Sequence, residues 1–230
     1  MAAWGVDTEE RRAAAETAVE VLGGTPASMQ REPVSPVRFV LPRRLSQQVG
    51  RFDRTVDRAF DDHLRGRPAV DRVFYGASAL GDYSLIWHLL NVARSLRSGA
   101  RHERPGVRLV VALGVESLVV NWGVKSLFRR ARPVAGARPR PRPLRTPRTS
   151  SFPSGHATSG FMAATLLAES TRPAAIPFWY GLAGVVAASR IHVRIHHASD
   201  VVGGGLLGLA FGMVVRRVWP VREGSAPSQG

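Results

Sequence analysis

Three imidazoles, two guanidinium groups, two hydroxyls and a carboxylate crowd into the twelve residues from Ser189 to Asp200, SRIHVRIHHASD, directly after the apolar run from Phe178 to Ala188. On a continuous helix, positions four apart share a face, so His192, His196 and Asp200 would line up with Arg190 beside them. Such a set supports two chemistries. A histidine pair four apart with a third carboxylate can hold zinc, but the glutamate base of an HExxH helix is absent and two arginines would repel a divalent cation. The other chemistry is an anion site, with His196 as nucleophile, Asp200 orienting its ring and fixing its tautomer, and Arg190 gripping an oxyanion. We favour the anion site and assign no metal. A solvated helix end, whose histidines and arginines merely cap carbonyls, would explain the segment if it stood alone.

Two further blocks stand upstream. In SFPSGHATSG, Pro153, Ser154 and Gly155 precede a long apolar run, so Ser154 reads as an N-cap and the amides after it form an anion cradle. His156 falls in the first turn, beside whatever that cradle binds. In KSLFRRARP, Lys125 and Arg132 lie seven apart, two turns of one helical face, with Pro133 ending the helix. Lys125 is the single lysine of an otherwise all-arginine basic set, which suggests a GC-rich genome and a position that wants a compact, flexible cation.

Taken together, Lys125 with Arg132 and Pro133, then Pro153 to His156, then Ser189, Arg190, His196 and Asp200 resemble the three-part signature of the type 2 phosphatidic acid phosphatase superfamily. The likeness spans roughly residues 74–219. It implies a phosphohydrolase that needs neither metal nor cofactor and works through a phosphohistidine. His196 would attack phosphorus with Asp200 on its other ring nitrogen. Lys125, Arg132 and Arg190, with the amides near Ser154 and Gly155, would hold the nonbridging oxygens. His156 would protonate the leaving oxygen and then act as base for the water that releases phosphate.

The elements that must position these groups are helical. Phe52, Val56, Ala59, Phe60 and Leu64 recur at helical spacing between Leu45 and Leu64, an amphipathic helix that either packs on the bundle or lies in the lipid interface. Apolar spans follow at Val73 to Leu96, Val107 to Phe128, His156 to Ala168, Ala174 to Ala188 and Val201 to Trp219, all approaching bilayer length. In the last, Gly204, Gly208 and Gly212 recur every four residues, a stripe that lets backbones approach closely and would put this helix at the centre. The expected fold is therefore an all-α helical bundle, integral to the membrane, with about five or six spanning or interfacial helices. We divide the chain into a mobile N-terminal tail (1–37), a phosphatase helical-bundle domain (38–220) and a C-terminal tail (221–230).

The formal charge of +15 first suggests nucleic acid, but no aromatic residues interleave the arginines between Arg129 and Phe152, and an anionic membrane surface or substrate fits better. The loop from Ala137 to Arg148 alternates arginine with proline; it reads as extended and suited to drawing anionic headgroups towards the site. The chain opens without an apolar signal region. The leading function is hydrolysis of a phosphate monoester or pyrophosphate on a membrane lipid in a multi-pass protein, placed in the cell membrane. Polyprenyl-linked phosphate is the favoured substrate, ahead of phosphatidic acid and phosphatidylglycerol phosphate. The alternatives are a soluble acid phosphatase or vanadate-dependent haloperoxidase, and a basic membrane-surface or nucleic-acid binding protein without catalysis.

Overall fold

The computed structural model describes residues 42–98, 100–133 and 149–221, without side-chain detail for 98 and 100–102. The expected N-terminal tail, the first four residues of the expected bundle domain (38–41), the expected C-terminal tail beyond residue 221 and the arginine–proline loop lie outside the described residues. Those described form helices and turns with no strand.

An amphipathic helix α1 (Arg43–His63) comes first. It packs on the bundle, burying Asp53, and leaves Leu45 and Phe52 exposed. Helix α2 (Pro68–Gly81) starts with proline in its first turn and Asp71 near its positive end. The single span expected at Val73 to Leu96 is in fact two helices. The chain breaks at Asp82–Ser84, where Tyr83 and Ser84 take left-handed backbone angles (φ 53° and 58°), before α3 (Leu85–Ser98) resumes. Neither position is glycine, so the left-handed pair itself carries no sequence signal beyond the Gly81–Asp82 dipeptide before it.

Helix α4 (Ala100–Leu118) continues through a π-helical turn, Val119–Val124, into a last turn at Lys125–Leu127. The helix ends there, so Arg132 does not share a helical face with Lys125 as its spacing suggests; residues 128–133 leave the helix and bring Arg132 to the Ile195 carbonyl and the His196 ring.

Helix α5 (Gly155–Glu169) is the centre of the bundle, buried along most of its length by small residues such as Ala157, Gly160 and Ala163. At 1.5 Å per residue it is only about 22 Å long, short of a bilayer core of about 30 Å. Around it lie α4, α6 (Ile176–His192) and α7 (Ala198–Val218). The glycine stripe of α7 faces α5: a Cβ on Gly204 would come within 2.5 Å of the Ser154 carbonyl oxygen, and one on Gly208 within 2.2 Å of that of Thr158. The stripe thus seats α7 against the central helix, and α7 itself is not central; Val202, Leu206, Met213 and Val214 on its other face are exposed.

Among the described residues, three helical stretches are long and apolar enough to cross a membrane: Glu103–Leu127, Pro173–His192 and Ala198–Val218. Their outward apolar faces, including Val107, Val115 and Leu118 of α4, are the surface a lipid bilayer would cover. The core between them joins Trp87, Leu109, Met162, Leu166, Trp179 and Val186.

Candidate active site

The helical stretch ending at Leu127, the C-terminal end of α6 and the N-terminal ends of α5 and α7 come together, which brings Lys125, Arg132, Gly155, Arg190, His196 and Asp200 into one neighbourhood. Helix α6 stops at His192, where Arg65 donates to the carbonyls of Ile191 (2.7 Å) and His192 (2.9 Å) and supplies a cation to the negative helix end. The chain then turns tightly around the Arg190 carbonyl, which accepts N–H groups from Ile195 and His196, with Arg194 left-handed (φ 52°). His192 and His196 are therefore on different elements and do not form a helical pair. His192 faces away, its Nε2 2.8 Å from Asp71 and its ring stacked on Phe74.

Asp200 is fully buried in the first turn of α7, where its Oδ2 accepts the backbone N–H of His197 at 2.8 Å. The same oxygen accepts the hydroxyl of Ser151, and Oδ1 accepts from Arg130 at 2.6 Å. His196 Nδ1 stands 3.7 Å from Oδ2, outside hydrogen-bond reach. Across the ring, Arg132 Nη1 lies 3.3 Å from His196 Nε2. A guanidinium can only donate, so Nε2 carries the lone pair and Nδ1 the proton, facing Asp200. Burial pulls the His196 imidazole down to about 3, with Arg132 and Arg190 adding to the shift and Asp200 opposing it. The ring is neutral and its Nε2 is available as a nucleophile.

The cations come from three elements. Lys125, buried, donates to Asn121 at 2.8 Å across the π turn and sits beside Gly155, whose missing Cβ would be 3.6 Å from Nζ. Arg132 is braced by the carbonyls of Thr149 and Ser150. Arg190, also buried, donates to the hydroxyl of Ser78 on α2.

Ser154 takes extended N-cap backbone angles, yet its hydroxyl makes no capping bond; the buried Oγ has no protein partner among the described residues. Its backbone N–H instead donates to the Asp200 carbonyl at 3.0 Å, tying the starts of α5 and α7 together. The amides of the first turn of α5, with the unbonded hydroxyl, form the concave wall that an anion would meet.

His156 stands on the open side. Its Nε2 donates to the Ser78 carbonyl at 3.1 Å and lies 3.2 Å from Asp82. A Cβ on Gly81 would be 2.4 Å from the ring, so glycine is what admits the imidazole. Ser78, Asp82, Asn121, Arg130 and Ser151 all touch the site and carry no signal in the sequence blocks. Arg130 was visible only as one arginine of a run.

A phosphoryl group fits this arrangement: a neutral imidazole backed by a carboxylate, three cations and a helix N-terminus around one point, and a second imidazole at the rim. The sequence profile of the PAP2 superfamily matches residues 105–223. The chain is similar to the decaprenylphosphoryl-5-phosphoribose phosphatase of Mycobacterium tuberculosis, 30% identical over 182 residues, covering 78% of this chain and 97% of the relative. The protein of the same name from Mycolicibacterium smegmatis is 33% identical over 148 residues, 61% of this chain and 74% of the relative. Among solved structures, the fold is shared with the transmembrane PAP2-type phosphatidylglycerolphosphate phosphatase of Bacillus subtilis (TM-score 0.55, 22% identity, 77% of this chain and 87% of that one). It is shared equally with LpxE of Aquifex aeolicus (TM-score 0.55, 23% identity, 71% and 93%).

Proposed function

The chain belongs to the PAP2 superfamily, and from that membership we propose that it removes a phosphate monoester from a polyprenyl-linked lipid through a phosphohistidine at His196. It is a lipid phosphatase of the helical membrane type. The observation that carries the substrate class is the alignment with the mycobacterial enzyme along nearly its whole length. That enzyme's name specifies a phosphate on a pentose joined to decaprenyl phosphate, and the same class of headgroup is the natural first substrate here.

In this reading His196 Nε2 attacks phosphorus in line with the ester oxygen. Arg132, which now points at Nε2, shifts onto the nonbridging oxygens with Lys125 and Arg190. As the phosphorus–oxygen bond breaks, His156, entering as the imidazolium that the neighbouring Asp82 carboxylate favours, gives a proton to the leaving oxygen and becomes neutral. Asp200 stabilises the positive charge that His196 acquires. Water then attacks the phosphohistidine while His156 takes its proton, releasing inorganic phosphate and restoring both rings. In this reading the chain is a multi-pass protein of the cell membrane, a reading supported by the three apolar stretches, with α4, α6 and α7 crossing and the short α5 shielded inside. These apolar helices favour the lipid enzyme over a soluble acid phosphatase or haloperoxidase.

The test is phosphate release by the purified protein in detergent with EDTA. The panel comprises decaprenylphosphoryl-5-phosphoribose, polyprenyl phosphate, polyprenyl pyrophosphate, phosphatidic acid and phosphatidylglycerol phosphate. Preference for the phosphoribose lipid, undiminished by EDTA, is the expected result. Preference for a diacylglycerol-based lipid would overturn the substrate class, and loss of activity to EDTA would overturn the mechanism.

A further inference from the structure

Arg130 lies among arginines that bind phosphate in the reading above, yet its own contacts point elsewhere. It donates to Asp200 Oδ1 at 2.6 Å and to the Ser199 hydroxyl at 2.7 Å, and its other terminal nitrogen donates to Asp53. Asp53 is a buried carboxylate on α1, far away in sequence, and its Oδ1 accepts the Ser199 backbone N–H at 2.8 Å. A guanidinium held between two carboxylates is neutralised by them and has little charge left for a substrate phosphate. A buried aspartate on an otherwise amphipathic surface helix also needs a reason, because removing a carboxylate from water is costly unless it is paired.

Both facts have one explanation. Asp200 has two oxygens, and it is Oδ2 that stands 3.7 Å from His196 Nδ1. With Oδ1 bound to Arg130 while Oδ2 accepts from Ser151 and from the His197 N–H, the carboxylate is gripped at both oxygens and Oδ2 stays aimed at Nδ1 across the 3.7 Å gap. We propose that Arg130 and Asp53 are positioning residues for the His196–Asp200 pair: Asp53 holds Arg130, Arg130 holds Asp200, and α1 is thereby part of the active site. This rests on the phosphohistidine reading of the same site.

The experiment uses the full chain in detergent, with wild type, Arg130→Gln, Arg130→Lys, Asp53→Asn and the Asp53→Asn/Arg130→Gln double variant. It measures kcat, KM, the inhibition constant of inorganic phosphate, and the ¹⁵N signals of the His196 ring, assigned by their loss in His196→Ala. Arg130→Gln should lower kcat by about tenfold to a hundredfold, as loss of an orienting partner does, and leave phosphate inhibition unchanged. Arg130→Lys should recover part of the loss. Asp53→Asn should have a smaller effect, and the double variant should be no worse than Arg130→Gln, since one residue acts through the other. The His196 ring should be one tautomer, protonated at Nδ1, in wild type and a mixture in Arg130→Gln.

Unchanged kcat in Arg130→Gln would overturn the proposal. So would phosphate inhibition that weakens in step with kcat, which would make Arg130 a ligand, or effects of Asp53 and Arg130 that multiply in full. If Arg130→Gln does not fold, wild-type kcat in both Arg130→Lys and Asp53→Asn overturns it. The ring signals need no turnover. A wild type that releases no phosphate would therefore sink the phosphatase reading, while an unaltered tautomer in Arg130→Gln would separately sink the positioning role.

Discussion

The two imidazoles of the site are both mostly buried, but to different degrees: the His156 side chain is 14% exposed and that of His196 is 3% exposed. His196 and Asp200 are sealed, 3% and 0% exposed, within a shell of Ser151, Arg130 and the start of α7. His156 is on the rim, and its carboxylate neighbour Asp82 is a third exposed, in a turn where Tyr83 and Ser84 are held left-handed. The difference matches two chemical tasks. A nucleophile that forms a bond to phosphorus gains from a fixed, dry, pre-aimed ring. A group that hands a proton to a leaving alcohol and takes one from water must be reached by both.

The comparison can be broken by taking each half apart. His196→Ala should abolish turnover, a loss of about 10⁴-fold or more, because no other group can carry the phosphoryl intermediate; phosphate-release assays check this, and residual activity near wild type would end the assignment. His156→Ala should cost about 10²- to 10⁴-fold with a lipid alcohol as leaving group. With an aryl phosphate the first step needs no acid, so the defect should shrink; an equal defect on both substrates would mean His156 is not the acid.

Gly81→Ala sharpens the contrast, since its Cβ would press on the His156 ring and not on His196. About a tenfold loss of kcat is expected, of the size that misplacing a catalytic group by a fraction of an ångström produces, with wild-type His196 ring signals. The smallest effect is on stability. The folded protein holds His196 neutral down to about 3, whereas the unfolded chain protonates it near 6.5. Between those values the unfolded state binds more protons, so stability falls as pH falls. Melting temperature should decline from pH 7 to pH 4.5, and less steeply in His196→Gln.

How far the sequence showed this follows the same division. Lys125, Arg132, Ser154, Gly155, His156, Arg190, His196 and Asp200 stand in short blocks at helix ends, so their gathering at one end of a bundle could be read from spacing and hydropathy. The geometry between blocks could not. Asp53, Ser78 and Asp82 reach the site from α1, α2 and the turn that follows α2 through packing between distant segments, which leaves no local pattern. The break after Gly81 is carried by Tyr83 and Ser84, residues that do not advertise a left-handed turn. A period of 3.6 carried Arg132 onto the helix of Lys125, but the chain leaves that helix after Leu127. The same period aligned His192 with His196, until the turn at Arg194 separated them. The glycine stripe was legible as a close contact, while its partner, the small-residue helix α5, emerged as the centre only in three dimensions.

The measurement that tests the central claim most directly is rapid acid-free quenching of the enzyme with ³²P-labelled lipid phosphate, followed by peptide mapping. The account predicts a label that is stable in base, lost in acid, located on His196 and absent from His196→Ala. A label on another residue, or full turnover by His196→Ala, would contradict it.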